Sequence, residues 1–262
     1  MNDLDFVLKC LIEEQPEYRQ LNIPPDLPGK RRIMRSLMNR RPAAPASEQL
    51  LKAQDKELQK QLDEKGIIGL TQATVSPIDN RLRLWQGDIT RLNIDAIVNA
   101  ANSQMLGCFV PLHGCIDNVI HSAAGIQLRM ECNELMNKQG HPEPTGSAKI
   151  TRGYNLPSKY VIHTVGPIIY GSTVTNVDEN QLADCYRSCL QLADENKLRS
   201  IAFCCISTGE YRFPNQQAAE IAVTTVTEYF ESHSFSGIEA VVFNVFKDID
   251  YVIYSKLLQF EL

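Results

Sequence analysis

From about residue 80 onward, short β-rich runs alternate with longer helical ones, and that alternation restricts the fold more than any other feature of the chain. Strands are expected at Leu82–Leu84, Asp95–Asn99, Ala148–Thr151, Tyr160–Thr164, Ser200–Ile206 and Glu239–Val245, where β-branched and apolar residues cluster. Helices are expected at Ile116–Gln139, Asn180–Asn196, Gln216–His233 and Asp248–Leu258. Strands that alternate with helices form a largely parallel sheet covered on both faces, a three-layer α/β sandwich. Such sheets bind ligands in the crevice beyond the carboxyl ends of their strands. Function is therefore expected in the loops after Asn99, Thr164 and Ile206.

The first seventy residues follow a different pattern. Phe6, Val7, Cys10 and Leu11 recur at helical spacing, and Pro24, Pro25 and Pro28 mark a turn-rich stretch. A basic segment runs from Lys30 to Arg41, and after Pro42 and Pro45 a charged helix is expected over Ser47–Lys65 with Ser47 as its N-cap. Apolar positions in that helix are sparse, so it should pack by one narrow stripe onto something larger. A length of 262 residues suits one core with an appendage, divided as an N-terminal helical extension over 1–70 and a main domain over 71–262. The basic segment is either a guide for an acidic partner protein or a solvated helix face.

No run approaches the length needed to span a bilayer, so no membrane association is expected. The start of the chain mixes acids into its apolar positions and lacks a basic opening and a small-residue cleavage site, so a cytoplasmic location is expected. A net charge of −5 speaks against nucleic-acid binding. It also requires any phosphate ligand to be held by local backbone N–H groups and helix N-termini. The eight cysteines are expected as reduced thiols. Cys185, Cys189, Cys204 and Cys205 sit in apolar surroundings and read as packing, whereas Cys108 and Cys115 do not.

Three segments coincide with the expected ligand loops. The first is Gln86-Gly87-Asp88-Ile89-Thr90 followed by Ile97-Val98-Asn99-Ala100-Ala101-Asn102. The second runs from Pro144-Thr145-Gly146-Ser147 to Tyr160-Val161-Ile162-His163-Thr164-Val165-Gly166-Pro167. The third is Ser207-Thr208-Gly209-Glu210-Tyr211-Arg212-Phe213-Pro214, between a strand and a helix, whose exposed N–H groups can cradle a diphosphate without cationic side chains. In this order and over roughly residues 80 to 262, the segments resemble the macrodomain family, the ADP-ribose-binding fold. The resemblance implies a ligand site of Asp88 and Ile89 at the adenine, Asn102 at the distal ribose, and Ser207, Thr208, Gly209, Glu210 and Tyr211 along the diphosphate and sugar.

Where most macrodomains carry a glycine-rich run after the Asn-Ala-Ala-Asn segment, this chain has Leu106-Gly107-Cys108-Phe109-Val110-Pro111-Leu112-His113-Gly114-Cys115. Two thiols and an imidazole at spacings of five and two let one loop wrap a tetrahedral ion. From spacing alone, packed thiols and a hydrogen-bonded loop histidine explain these residues equally well. The loop resembles that of zinc-containing macrodomains that reverse protein ADP-ribosylation, which implies one Zn2+ held by Cys108, His113 and Cys115. His121 is a candidate fourth ligand. The resemblance also implies Asp117, four residues before His121 on the same helix face, as the residue that orients or activates water, with Asn102 beside it.

The function implied is zinc-dependent hydrolysis of mono-ADP-ribose from a protein side chain, with an acidic side chain expected. The zinc either activates water or fixes the distal ribose. The class implies as substrate a small lipoyl-carrier-like protein modified by a sirtuin-like transferase. Two rivals stand beside this reading: a non-catalytic ADP-ribose-binding module with a structural zinc, and an enzyme acting on a small ADP-ribose derivative. A nucleobase deaminase is excluded, because no H-x-E is paired with a later P-C-x-x-C.

Overall fold

Strands with the sequences AIVNA, SIAF and AVVFNV carry almost no polar alternation, as expected of strands covered on both faces. In the structure, a computed structural model that describes residues 1–171 and 173–260, they form the middle of a seven-stranded sheet. The chain opens with α1 (Asp3–Glu14), α2 (Leu27–Arg40) and α3 (Glu48–Lys65). It continues through β1 (Ile68–Gly69), β2 (Thr74–Val75), β3 (Leu82–Gln86), β4 (Leu92–Asn93) and β5 (Ala96–Ala100). Then follow α4 (Ile116–Ala124), α5 (Ile126–Gln139), β6 (Ala148–Arg152), β7 (Tyr160–Thr164) and α6 (Asn176–Glu195). The last elements are β8 (Ser200–Phe203), α7 (Asn215–Ser232), β9 (Ala240–Val245) and α8 (Asp248–Leu257).

Sheet order is β2-β3-β9-β8-β5-β7-β6, with β1 and β4 paired apart from it. The five inner strands are parallel and both edge strands antiparallel, so the sheet is mixed and, as expected, mostly parallel. The main core lies on the two faces of this sheet, against α4 to α8. Among the described residues no helix is long and apolar enough to cross a membrane.

Several expected boundaries shift for physical reasons. The single helix expected over Ile116–Gln139 is two, broken at Gly125 with φ +98°. A Cβ there would meet the Gln127 and Gln54 side chains at 2.7 Å, so glycine is required twice over. Helix α6 starts at Asn176 instead of Asn180, because Thr175 and Asp178 cap each other reciprocally. Strand β8 ends at Phe203, short of Ile206.

Helices α1, α2 and α3 enclose a small core of their own, with Leu8, Leu11, Met34, Leu37 and Leu50 buried, and Ile126 reaches into it from α5. Polar contacts complete the joint. Gln54 accepts from the Ile126 N–H at 2.9 Å, and Asp55 accepts from both Gln127 and Asn155 at 2.7 Å. The basic segment forms α2, N-capped by Asp26. Its charge is largely spent inside the protein. Lys30 pairs with Asp5, Arg31 with Glu57 and Glu64, and Arg41 with Glu14, while Arg32 and Arg40 remain exposed. Its exposed charge is thus confined to a few residues and not spread along the helix.

At the end of the sheet away from the ligand loops, Asp95 ties three strands together. It accepts from the N–H groups of Arg199 and Ser200 at 2.8 and 3.2 Å, and from Lys159 Nζ at 2.7 Å. Burial works against its ionisation, but Lys159 and the two amides outweigh it and hold the carboxyl below its ordinary value. A depressed carboxyl pKa adds stability above the unfolded value of about 3.9, and that stability is lost as pH falls below it. Asp95→Asn should therefore cost roughly 1–2 kcal/mol at neutral pH, seen as a Tm lowered by about 2–8 °C. The gap between variant and parent should narrow below about pH 4; a gap independent of pH would contradict the assignment.

Candidate functional site

Because β3, β9, β8, β5 and β7 are parallel neighbours, their carboxyl ends share one rim. Asp88 follows β3, Phe246 follows β9, Ser207–Pro214 follow β8, Ala101–Cys115 follow β5, and Gly166 follows β7. From β3 to β5 is three strand spacings, about 14 Å. The rim is long enough for an extended ligand.

At the β3 end, Asp88 Oδ1 accepts from the N–H and hydroxyl of Thr90, while Oδ2 lies 3.4 Å from Lys65 Nζ. One carboxylate oxygen thus shapes the turn and the other faces outward. Ile89 is buried in the core, so only its backbone can meet a ligand. Phe246, which the sequence reading missed, stands 76 % exposed beside this corner, with its carbonyl bonded to Gln86. A large aromatic left in water at a ligand rim was its only available signal.

The loop after β8 is wound tightly. Ser207 and Arg212 adopt left-handed backbone, Phe213 N–H donates to the Ser207 carbonyl and Arg212 N–H to that of Gly209. The Gly209, Glu210 and Tyr211 amides have no hydrogen-bond acceptor among the described residues. These free donors stand just before the N-terminus of α7, which has no side-chain cap. Free amides and a helix dipole together attract an anion. Gly166 packs against this loop so closely that a Cβ would lie 2.0 Å from Ser207 Oγ, and Ile169 N–H donates to the Tyr211 carbonyl. Thr208 is turned inward, its hydroxyl on the Cys205 carbonyl.

Beneath the cleft lies a buried polar chain. Asn99 Nδ2 donates to Asp117 Oδ1 at 2.8 Å and to His163 Nδ1 at 3.1 Å. His163 must therefore carry its proton on Nε2, which meets Thr151 Oγ1 at 2.9 Å. Asn102, expected to face a sugar, donates here to Asp117 Oδ2 and the Gly107 carbonyl. Burial raises the Asp117 carboxyl to about 6, against the pull of Asn99, Arg129 and Asn102. Asp117 and His121 approach to 3.5 Å on one face of α4, yet the contact is not an ion pair. Burial, then His163 and Arg129, push the His121 imidazole well below its ordinary value, so it stays neutral.

The loop after β5 brings Cys108, His113 and Cys115 together, with one ligand atom from each all within 4.8 Å of one another. His113 Nδ1 faces Cys108 Sγ at 3.8 Å, while its Nε2 is 3.5 Å from Glu210 across the cleft. Cys115 is the N-cap of α4, its sulfur accepting from the Asn118 N–H at 3.4 Å, where a helix dipole favours a thiolate. Burial pushes that thiol up to about 12, and Cys108 adds to the rise; a cation reverses such a balance. Two sulfurs and an imidazole nitrogen at this spacing fit zinc. His121 falls outside this set, so the sequence-based fourth ligand is not supplied by it. It lies instead in a second group with Cys132 and His163. There the His163 Nε2 proton is already committed to Thr151, so that nitrogen is not free to ligate.

The Macro domain family model matches residues 98–222. A protein named protein-ADP-ribose hydrolase from Treponema medium is 51% identical over 257 residues, covering 97% of each chain. One of the same name from Staphylococcus aureus (strain MSSA476) is 46% identical over 97% of this chain and 94% of its own. Among solved structures, an Oceanobacillus iheyensis macrodomain with ADP is 38% identical with a TM-score of 0.63, over 72% of this chain and 95% of its own. A Trypanosoma brucei macrodomain in complex with ADP-ribose is 33% identical with a TM-score of 0.65, over 82% of this chain and 92% of its own.

Burial lowers the His163 imidazole to about 3. An imidazole depressed below its unfolded value of about 6.5 draws protons to the unfolded state, so stability falls as pH drops through that value. The loss approaches about 1.4 kcal/mol per pH unit below about pH 6. Unfolding midpoints measured between pH 7.5 and 5 should therefore fall more steeply for the parent than for His163→Gln, and a parallel fall in both would contradict a neutral His163.

Proposed function

Because the chain belongs to the macrodomain family of protein-ADP-ribose hydrolases, we propose that it removes a single ADP-ribose from a protein side chain in the cytoplasm, using one zinc ion held by Cys108, His113 and Cys115. The observation that carries this reading is the convergence of those three donors on the cleft, beside the buried Asp117.

Adenine lies at the β3–β9 corner, where Asp88 Oδ2, which faces the exposed Lys65, accepts from its exocyclic amine and the Phe246 ring offers a stacking face. The diphosphate rests on the free amides of Gly209, Glu210 and Tyr211 at the N-terminus of α7, which suits a chain of net charge −5 because those donors add no cationic side chain. The distal ribose sits between that loop and the one bearing Cys108, His113 and Cys115. Tyr211 borders the same space. Burial, then the nearness of Asp117, raises its hydroxyl.

Cleavage at C1″ of that ribose builds positive charge on the sugar and negative charge on the departing side chain. Asp117 bears on the first of these. Its two oxygens are held by Asn99 and Asn102, so the carboxylate is oriented before the substrate arrives and can offset charge on the sugar without reorganising. Bound zinc would supply a Lewis acid beside the reacting sugar. The substrate in this reading is a mono-ADP-ribosylated acidic side chain, on a small lipoyl-carrier-like protein modified by a sirtuin-like transferase; the class resemblance alone supports that identity. The rival reading, a binding module with a structural zinc, needs a closed four-ligand site, and the separate position of His121 speaks against it.

Metal analysis and turnover on a mono-ADP-ribosylated protein test the proposal directly. The parent should carry about one zinc per chain. Cys115→Ala should lose it and slow hydrolysis by on the order of 100-fold or more, with ADP-ribose affinity changed by less than about tenfold. Full-rate hydrolysis by metal-free parent protein would remove zinc from the mechanism while leaving the ligand site intact.

A further inference from the structure

We infer that the helical extension contributes to the reaction through Arg35, which together with Asn118 forms a polar bracket that sets the relative positions of the three zinc-ligand residues. The inference rests on the zinc reading above and concerns how the chain builds that site.

The loop from Leu106 to Cys115 contains no regular secondary structure, exposes Phe109 and Val110, and passes through left-handed backbone at the non-glycine Leu112. Such a segment has much conformational entropy to lose and no shape of its own. Asn118, fully buried on the first turn of α4, supplies one half of what holds it. Its Nδ2 donates to the carbonyls of Cys108 (3.3 Å) and Val110 (2.9 Å), and its backbone N–H donates to Cys115 Sγ. Its Oδ1 accepts from Arg35 Nη2 at 2.8 Å, and the same nitrogen donates to the His113 carbonyl at 2.9 Å. The Arg35 side chain, with the side chain and backbone N–H of Asn118, thus touches each of the three ligand residues.

The rest of α2 reinforces the grip. Asn39 Oδ1 accepts from the strained Leu112 N–H at 2.9 Å. Arg129, from α5, donates through Nε to the Leu106 carbonyl and through Nη1 to the carbonyls of Met38, Asn39 and Arg41, fastening the C-terminal end of α2 to the start of the loop.

Arg35 is an uneconomical choice for mere stability. It is partly buried, has no carboxylate partner among the described residues, and its Nε has no hydrogen-bond partner. A cation desolvated in this way is costly to keep. Its planar fork is well suited to aiming one nitrogen at two fixed oxygens. Arg31, one turn earlier, makes the opposite arrangement, pairing with Glu57 and Glu64 inside the extension. Arg35 is therefore a positioning residue for the metal loop.

The test uses the full chain and compares Arg35→Met, Arg35→Gln and Arg31→Met. Zinc affinity is read by competition with a chromogenic chelator, alongside melting temperature, ADP-ribose affinity and turnover. Loss of a partner that orients ligands typically weakens metal binding about 10- to 100-fold. Arg35→Met should show a loss of that size, Arg35→Gln an intermediate one, and excess zinc should restore turnover to both. ADP-ribose affinity measured with excess zinc should stay within about threefold. Arg31→Met should lower the melting temperature and leave zinc affinity unchanged. Should Arg35→Met not fold, Arg35→Gln against Arg31→Met makes the same comparison. Parental zinc affinity in the Arg35 variants, or an equal loss in Arg31→Met, would overturn the bracket while the zinc reading survives. A parent chain that binds no zinc would overturn both.

Discussion

Parallel alignment of the five inner strands is the constraint from which the rest of the site follows. Every loop that leaves a carboxyl end of β3, β9, β8, β5 or β7 arrives at one rim, whatever its sequence. The loop after β5 and the loop after β8 emerge side by side, where the path of the chain changes direction across the sheet, and a crevice opens between them. His113 and Glu210 reach toward each other across that crevice, and Gly166 supports the β8 loop from the third side. The acidic net charge then matters for how the rim is equipped. Free amides and a helix N-terminus provide local positive potential that side chains do not provide.

Under that rim the chain accepts a cost to gain direction. Asp117 is buried and ionises reluctantly, and among the described residues neither ring nitrogen of His121 has a hydrogen-bond partner. What is obtained is a unique arrangement. A neutral His163 accepts at Nδ1 only if Asn99 turns its amide nitrogen that way, and the same turn aims the other amide hydrogen at Asp117. Reversing the amide would set an oxygen against a carboxylate and leave two acceptors facing at the histidine. The amide of Asn99 and the tautomer of His163 thus specify each other, and the Thr151 hydroxyl, able to accept from Nε2, is compatible with that choice.

What could be read in advance depended on how far apart in sequence the partners lie. Cys108, His113 and Cys115 fall within one loop, so residue type and spacing marked them as candidates, the family resemblance favoured a metal over packed thiols, and the strand before them told where the loop would emerge. That Asp88, Ser207 and Gly209 would lie on the rim was legible for the same reason, since each follows a strand. His121, Cys132 and His163 come from three elements, and no local pattern announces that they meet. The bond of Asn102 to Asp117 was not legible, because it closes only when α4 folds back over the loop. The break at Gly125 was hidden by an apolar periodicity that continues through it, while the atoms that forbid a side chain there belong to Gln54, Gln127 and Asn155. The ion pairs of the basic segment were not legible because charge in a sequence says nothing about whether Glu14, Glu57 or Glu64 will be waiting for it.

The extension shows how a common fold can be given a loop it would not hold by itself. A glycine-rich loop needs little support, since its backbone lies directly against ligand and sheet. A loop that must present two sulfurs and an imidazole at fixed separations carries more side chain, a strained Leu112 and exposed Phe109 and Val110, and each of these favours other shapes. Asn118 can anchor two of its carbonyls from within the macrodomain, but one amide has only two hydrogens, and the His113 end remains unheld. Arg35 reaches that end from a helix 78 residues earlier in the chain. Its own position is secured by Leu37, Met38 and Leu11 in a separate small core. On this view the apolar packing of α1, α2 and α3 stabilises the extension so that a few polar contacts on one face of α2 can specify the geometry of a neighbouring loop. Packing supplies the free energy, and hydrogen bonds supply the direction.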